Sequence, residues 1–201
     1  MRSHLKIVTL GAVAMLAVAC AKEPVEEMKA VEQDMAAART EMVRTYAPES
    51  LEKAEKKAAA FSQEIATQKS KWAMSRDYDQ ALEIAADARE AAKAAEADAV
   101  NAREALRQEV RAKIVEAREA VDAALAELGT APVGKGNKAE IEAMKAEIIT
   151  AEGTFAVMES HMEAEDYKAA RSVADEALAT ATRITDAIRT AREMKAAGRR
   201  T

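Results

Sequence analysis

Residues 78–128 read YDQALEIAADAREAAKAAEADAVNAREALRQEVRAKIVEAREAVDAALAEL, a stretch without a glycine or a proline. Small apolar residues recur through it at Ala81, Ala85, Ala88, Ala92, Ala95, Ala99, Ala102 and Leu106. The steps alternate four and three, which places them on one side of an α-helix as the heptad seam of packed helices. Asp77 stands before the stretch as a candidate N-cap and Gly129 after it as a stop. As one helix, 78–128 would reach about 75 Å at 1.5 Å per residue. Near its middle the steps become three fours in succession, Ala102, Leu106, Val110 and Ile114, before Ala117, Val121, Ala124 and Leu128 resume the pattern. Such a stutter locally relaxes a supercoil.

The flanking sequence supplies partners for this helix. Residues 25–46 carry Met28, Val31, Met35, Ala38 and Met42 at steps of three and four. Ala47-Pro48 then breaks the pattern, because proline suits a helix's first turn and pushes the residue before it out of the helical region. The next helix carries Leu51, Ala54, Ala58, Phe61, Ile65, Gln68 and Trp72 and ends near Met74. Past Leu128, residues 129–137 hold three glycines and a proline, enough for a reversal. This loop follows a helix and lacks the G-x-x-x-x-G-K-[ST] spacing of a phosphate cradle. A fourth helix over 138–161 shows Ile141, Met144, Ile148, Ala151, Phe155, Met158 and Met162. A fifth begins at Tyr167 and shows Ala170, Ala174, Ala177, Ala181, Ile184, Ile188 and Ala191.

The last two helices repeat an earlier pair. Shifted by 90, the seam of the second helix falls on the seam of the fourth. Shifted by 89, Asp77, Tyr78, Ala81, Ala85, Ala88 and Ala92 fall on Asp166, Tyr167, Ala170, Ala174, Ala177 and Ala181, all identical. Alanine matches come cheaply in such a composition; the Asp-Tyr pair does not. Short turns make neighbours antiparallel. The expected fold is therefore all-α: an elongated antiparallel helical bundle or coiled coil. About five helices surround one long central helix, with an internal helical-hairpin duplication. Residues 25–128 form a first three-helix unit, 129–137 a linker, and 138–201 a second hairpin on the C-terminal half of the long helix. A straight central helix makes a rod of about 75–80 Å, and a fold at the 106–114 stutter a bundle half as long.

Composition agrees. Aromatics are 3% and charged residues 32%, with alanine dominating the apolar share, as in long-helix proteins. Such a core buries little area per residue, so stability comes from many small contacts along long seams. The formal charge is −5, and −7 once Arg2 and Lys6 leave with residues 1–19, which hold no acid. A binder of nucleic acid needs a basic face, so nucleic acid is excluded as a partner.

The N-terminus points to a location. Arg2 and Lys6 precede an apolar run over 7–18, shorter than the 20 or so residues a membrane span requires. Residues 1–19 read as a signal peptide. The run ends Leu16-Ala17-Val18-Ala19-Cys20, which resembles the bacterial lipobox. That resemblance implies cleavage between Ala19 and Cys20, acylation of Cys20, and a tether over 20–24. Ala21, in place of Asp, implies export to the Gram-negative outer membrane, facing the periplasm. Cys20 is the only cysteine, so no disulfide framework exists. Tyr46-Ala47-Pro48, Leu51 and Ala54, followed by Asp77-Tyr78 with Ala81, Ala85 and Ala88, resemble bacterial envelope lipoproteins with a helical-hairpin domain of unknown function. The resemblance covers about residues 46–96 and marks Tyr46, Pro48, Asp77 and Tyr78, with Asp166 and Tyr167 in the second copy, as structural motif positions. It implies an envelope location and a helical fold and no activity.

Candidate sites are few. With residues 1–19 gone, His161 is the only histidine, too few for a di-iron bundle and without a nucleophile marked beside it for a triad. Met158, His161 and Met162 share a helix face, and thioethers with imidazole suit copper. The competing reading puts both methionines in the packing seam. Arg189, Arg192, Lys195, Arg199 and Arg200 either complement a helix C-terminus or meet anionic lipid or cell-wall polymer. The reading reached is a non-enzymatic, lipid-anchored envelope protein with no cofactor. Its role is structural or interactive, with an envelope protein or the cell wall as possible contact. The rival is an adaptor that captures a partner helix or small ligand in a Met/Ala-lined groove. No feature of the sequence sets an oligomeric state.

Overall fold

The computed structural model describes residues 22–134 and 136–197. Those residues are all-α: α1 (Val25–Ala38), α2 (Glu41–Tyr46), α3 (Pro48–Ser70), α4 (Asp79–Gly129), α5 (Lys138–Gly153), α6 (Phe155–Glu163) and α7 (Tyr167–Ala197), with a 3₁₀ turn at Ala73–Ser75. Residues 1–19, the proposed cleavage at Ala19 and Cys20, and Arg199 and Arg200 lie outside the described residues. The chain divides into two compact units between Ala99 and Val100. The N-terminal part of α4 belongs to the first and its C-terminal part to the second.

In the first unit, Ala81, Ala85, Ala88, Ala92, Ala95 and Ala99 are all buried, in one core with Val31, Met35, Leu51, Phe61 and Ile65. Ion pairs along the seams give the directions. Glu23 meets Lys69 at 2.6 Å and Arg39 meets Glu55 at 3.0 Å, so α1 and α3 are antiparallel. Ser50 donates to Asp98 at 2.6 Å and Lys57 to Asp87 at 2.9 Å, so α3 and α4 are antiparallel too. Arg89 closes the third seam on Asp34 at 2.7 Å. Apart from the part-buried Arg89–Asp34 contact, these pairs are solvent-facing and contribute little individually. They record register, while the alanines decide how closely the backbones approach.

The second unit repeats this arrangement. Ala117, Val121, Ala124 and Leu128 share a core with Ile141, Ile148, Phe155, Met158, Ala174, Ala177, Ala181, Ile184 and Ile188. Arg171 reaches Glu109 at 3.1 Å and Arg192 reaches Glu127 at 3.3 Å, so α7 runs parallel to α4. Arg118 pairs with Glu159 at 3.4 Å and Arg103 pairs with Glu165, so α6 runs antiparallel to α4. A smaller cluster holds the stutter: Val110, Tyr167 and Ala170 are buried, with Leu106, Ile114 and Met162 packed partly against them. The helix itself is continuous through 106–114.

Four local expectations need correction. Residues 25–46 are two helices, because Thr40 starts a new one: its Oγ1 accepts from Val43 N at 3.3 Å. The break turns the chain so that Val43, not Met42, reaches the core. Residues 138–161 are also two helices, interrupted after Gly153. There Thr154 Oγ1 donates to the Ala151 carbonyl at 2.7 Å, and glycine is a weak helix former. Trp72 does not extend the α3 seam, since α3 stops at Ser70 and Lys71 is extended (φ −75°, ψ 155°), which leaves Trp72 72% exposed. Finally, α4 begins at Asp79, one residue later than the sequence suggests.

At Ala47-Pro48 and at Asp166 the turn chemistry follows expectation, whereas Asp77, two residues before α4, makes an Asx-turn contact instead of the expected N-cap. Ala47 is non-helical (φ −139°, ψ 51°) before Pro48, the first residue of α3, and Tyr46 packs partly on the first core. Asp77 Oδ1 accepts from Asp79 N at 3.0 Å, and Asp166 Oδ1 from Ala169 N at 3.1 Å. Tyr78 and Tyr167 are both buried. In the 129–137 loop, Asn137 accepts from Gly134 N at 2.7 Å and donates to the Pro132 carbonyl at 2.8 Å.

Candidate functional site

A concave apolar surface of the first unit lies between α1 and α3. It is a cleft of about 560 Å³. Val25, Met28, Val31 and Met35 face Ala58, Ala59, Phe61 and Ile65 across it, and Lys29, Glu32, Arg39 and Glu55 stand at its rim. Its origin is the antiparallel α1–α3 pair. Phe61 and Ile65 pack inward toward the alanines of α4, while Ala58 and Ala59 are too small to fill the outer side. Methionine is flexible and polarisable, so a Met-lined wall adapts to differently shaped apolar occupants. The lining is thus methionine and alanine together with Phe61, an aromatic residue that the seam pattern assigns wholly to the core.

Met158, His161 and Met162, on α6, differ in burial. Met158 is fully buried in the main core of the second unit. Met162 packs partly on the separate Val110–Tyr167–Ala170 cluster. His161 is half-buried, with Nδ1 3.9 Å from Asp166 Oδ2. Among the described residues no group of three or more His, Cys, Asp or Glu side chains is placed to hold a metal ion.

A second concave surface, about 610 Å³, was not legible in the sequence. Arg107, Arg111, Ile114 and Val115 of α4 face Glu159, Met162, Glu163, Glu165 and Tyr167 across it. Arg103 lies over the Tyr167 ring, 6.0 Å from its centroid. The Tyr167 hydroxyl first, and then Glu165, hold the Arg103 guanidinium above its ordinary pKa. Arg107 Nη2 donates to Glu104 Oε1 at 2.7 Å, while its buried Nε has no acceptor. Arg107 and Gln108 hold the Glu104 carboxyl below its usual range. Only the spacing of Arg103, Arg107 and Arg111 at i, i+4 and i+8 hinted at this corner.

The C-terminal arginines have structural partners where they are described. Arg189 pairs with Asp186 at 2.7 Å. Arg192 Nη2 donates to Thr130 Oγ1 at 2.8 Å and to the Glu127 carbonyl at 3.4 Å. It thus adds a cation at the C-terminal end of α4, where the Glu127 carbonyl also accepts from Thr130 N at 3.1 Å. Among the described residues no helix is long and apolar enough to cross a membrane. Compared with protein-family models, curated proteins and solved structures, the chain matches none of them.

Proposed function

We propose that this chain is a lipid-anchored protein of the Gram-negative outer membrane, facing the periplasm, whose all-helical body has a structural or interaction role rather than a catalytic one. The observation that carries the reading is the Leu16-Ala17-Val18-Ala19-Cys20 string at the end of an apolar run, with no other cysteine in the chain. Lipid chains in combination give a firm anchor where a single chain does not. A body of two alanine-seamed units suits a protein that presents surfaces rather than one that performs chemistry. The test is the mass of the N-terminal peptide from cells and the fractionation of Cys20→Ser. Acylation at Cys20, and release or retention of an unprocessed precursor in the variant, are expected. A variant cleaved and membrane-bound as before would refute the anchor.

A second reading, an adaptor that takes a partner helix, is favoured by the Met28–Met35 wall of the α1–α3 cleft. A photo-crosslinker at Ser62, on the edge of that cleft, is expected to trap one stoichiometric envelope partner. The same probe at exposed Glu83 is expected to trap none. Equal yields at both sites would remove the adaptor reading.

A further inference from the structure

The turn from α3 to α4 presents the chain's only tryptophan to solvent. Trp72 is 72% exposed and Met74 51%. Residues 69–76 read KSKWAMSR, three cations and no acid. The Lys71 ammonium has no carboxylate partner among the described residues. A large apolar ring with a hydrogen-bonding N–H, beside a lysine with no carboxylate partner, is the combination that suits a surface apolar on one side and wet on the other.

This turn is built. Lys71 N donates to the Gln68 carbonyl at 3.1 Å. Ser75 donates to the Trp72 carbonyl through both N and Oγ, each at 2.9 Å. Arg76 spans the turn, with Nε on the Lys71 carbonyl at 3.1 Å and Nη2 on the Lys69 carbonyl at 3.0 Å. Gln68, buried to 5% exposure, accepts from Asp77 N at 3.0 Å. Trp72 and Met74 thus project from a braced platform, and little conformational entropy is lost when they are covered.

The same turn is tied to the start of the helical body, where Lys69 Nζ lies 2.6 Å from Glu23 Oε1. Cys20 stands three positions before Glu23, so at most about 11 Å of extended chain separates them. The exposed tryptophan and the proposed lipid therefore belong to the same end of the first unit.

We infer that the Trp72 turn is a second membrane contact, which seats Trp72 and Met74 in the interfacial layer of an anionic bilayer with Lys71 among the phosphates. The inference rests on the lipid-anchor reading and deepens it. Tryptophan favours the headgroup layer, where its ring is buried and its N–H stays hydrated, and lysine is attracted to anionic lipid. The anchor makes the contact intramolecular, so even weak insertion is populated. What the contact adds is orientation: α1, α3 and α4 of the first unit meet the bilayer at a defined end. The corresponding turn of the second unit offers Glu163, Glu165 and Asp166 and no aromatic residue, a surface an anionic bilayer repels.

Cys20 is the only cysteine, so residues 20–201, which retain every described element, can be coupled there to a maleimide phospholipid whatever the cell does. In vesicles of phosphatidylethanolamine and phosphatidylglycerol, Trp72 emission should move to shorter wavelength, and lipids brominated on their acyl chains should quench it. Quenching by aqueous iodide should fall about threefold or more relative to the unlipidated protein in buffer, as expected for a ring at the interface. Lys71→Glu, at an exposed position, should restore most of the iodide quenching with helicity unchanged. Emission and iodide quenching unaltered by vesicles would overturn the inference. So would protection that appears only when envelope proteins are added. Absence of native acylation at Cys20 would sink the anchor reading and leave the coupled-lipid result standing, which keeps the two failures apart.

Discussion

In the first hairpin α3 stops at Ser70 and eight residues, 71–78, lead to α4; in the second, α6 runs to Glu163 and three residues, 164–166, lead to α7. Both hairpins then bury the same set: Ala81, Ala85, Ala88 and Ala92 in one, Ala170, Ala174, Ala177 and Ala181 in the other, each behind a buried tyrosine. The partner seams agree less closely. Leu51 and Ile141 are both buried, as are Phe61 and Ala151, but buried Gln68 corresponds to buried Met158. The long turn explains that exchange. A backbone N–H near its end needs an acceptor, and Gln68 Oε1 supplies one to Asp77 N. The short turn satisfies itself through backbone bonds and has no use for an amide, so an apolar side chain fills the site.

That reading predicts an asymmetric swap, the largest effect expected here. Met158→Gln buries an amide in a core that offers it no hydrogen bond and should cost about 2–4 kcal/mol. Gln68→Met removes two bonds, from Nε2 to Glu64 Oε1 at 2.6 Å and from Asp77 N to Oε1, and leaves the Asp77 N–H without its acceptor, for about 1–3 kcal/mol. Denaturant melts of both variants check the order. Equal costs would mean that turn length and side-chain polarity are unrelated.

The alanine rows should respond alike. Ala88→Leu and Ala177→Leu each add three carbons where two helices approach closely, and overpacking should cost about 1–3 kcal/mol in either hairpin. Thermal melts check it. A loss in one variant alone would show that the two hairpins share a sequence pattern without sharing a packing geometry.

How much of this was legible in the sequence depended on the length of the signal. The seam of α4 repeats over many turns, and its residues from Ala81 to Ala99 and Ala117 to Leu128 are buried as read. The α7 seam from Tyr167 to Ile188 is buried as well. Short features failed where period alone was followed. Trp72 continues the α3 period by coincidence, beyond the residue at which the helix ends. Thr40 sits inside an apparent period, yet from Ala38 the next core residue is five positions on, a step no continuous helix places on one face. Gly153-Thr154 breaks the helix without shifting the seam, since Ala151 and Phe155 keep a step of four across it. The α1–α3 cleft and the Arg103–Tyr167 corner depend on which helices become neighbours, and a single sequence carries little of that.

The capping aspartates should differ by hairpin. Asp166 Oδ1 accepts from the N–H three residues on, the geometry of a helix N-cap, so Asp166→Ala should cost about 1 kcal/mol. Asp77 Oδ1 accepts from the N–H two residues on, an Asx-turn contact inside a turn that Gln68 and Arg76 already brace. Asp77→Ala should therefore cost less, about half as much. Chemical denaturation of the pair would reveal a larger loss at Asp77 if the brace were the weaker element.

The smallest effect concerns Glu165, the one non-glycine residue with positive φ (59°) among the described residues. It lies in the three-residue turn from α6 to α7. Glu165 N reaches the Met162 carbonyl at 3.2 Å and Asp166 N the His161 carbonyl at 2.9 Å, the closure of a helix C-terminus that usually falls to glycine. The eight-residue turn of the first hairpin has room to avoid the left-handed region altogether. A side chain there costs about 1–2 kcal/mol, offset by about 0.5–1 kcal/mol of extra unfolded-state entropy when glycine replaces it. Glu165 also pairs with Arg103, so Glu165→Gly mixes two changes. Glu165→Gln isolates the ion pair, and the step from Gln to Gly isolates the backbone. That second step should stabilise by about 0.5–1 kcal/mol, with the Arg103 loss appearing only in the first. A Gln-to-Gly step that destabilises would mean that the methylenes of residue 165 pack usefully against the Arg103–Tyr167 corner. The second hairpin would then hold its short turn by side-chain contact, as the first holds its long one.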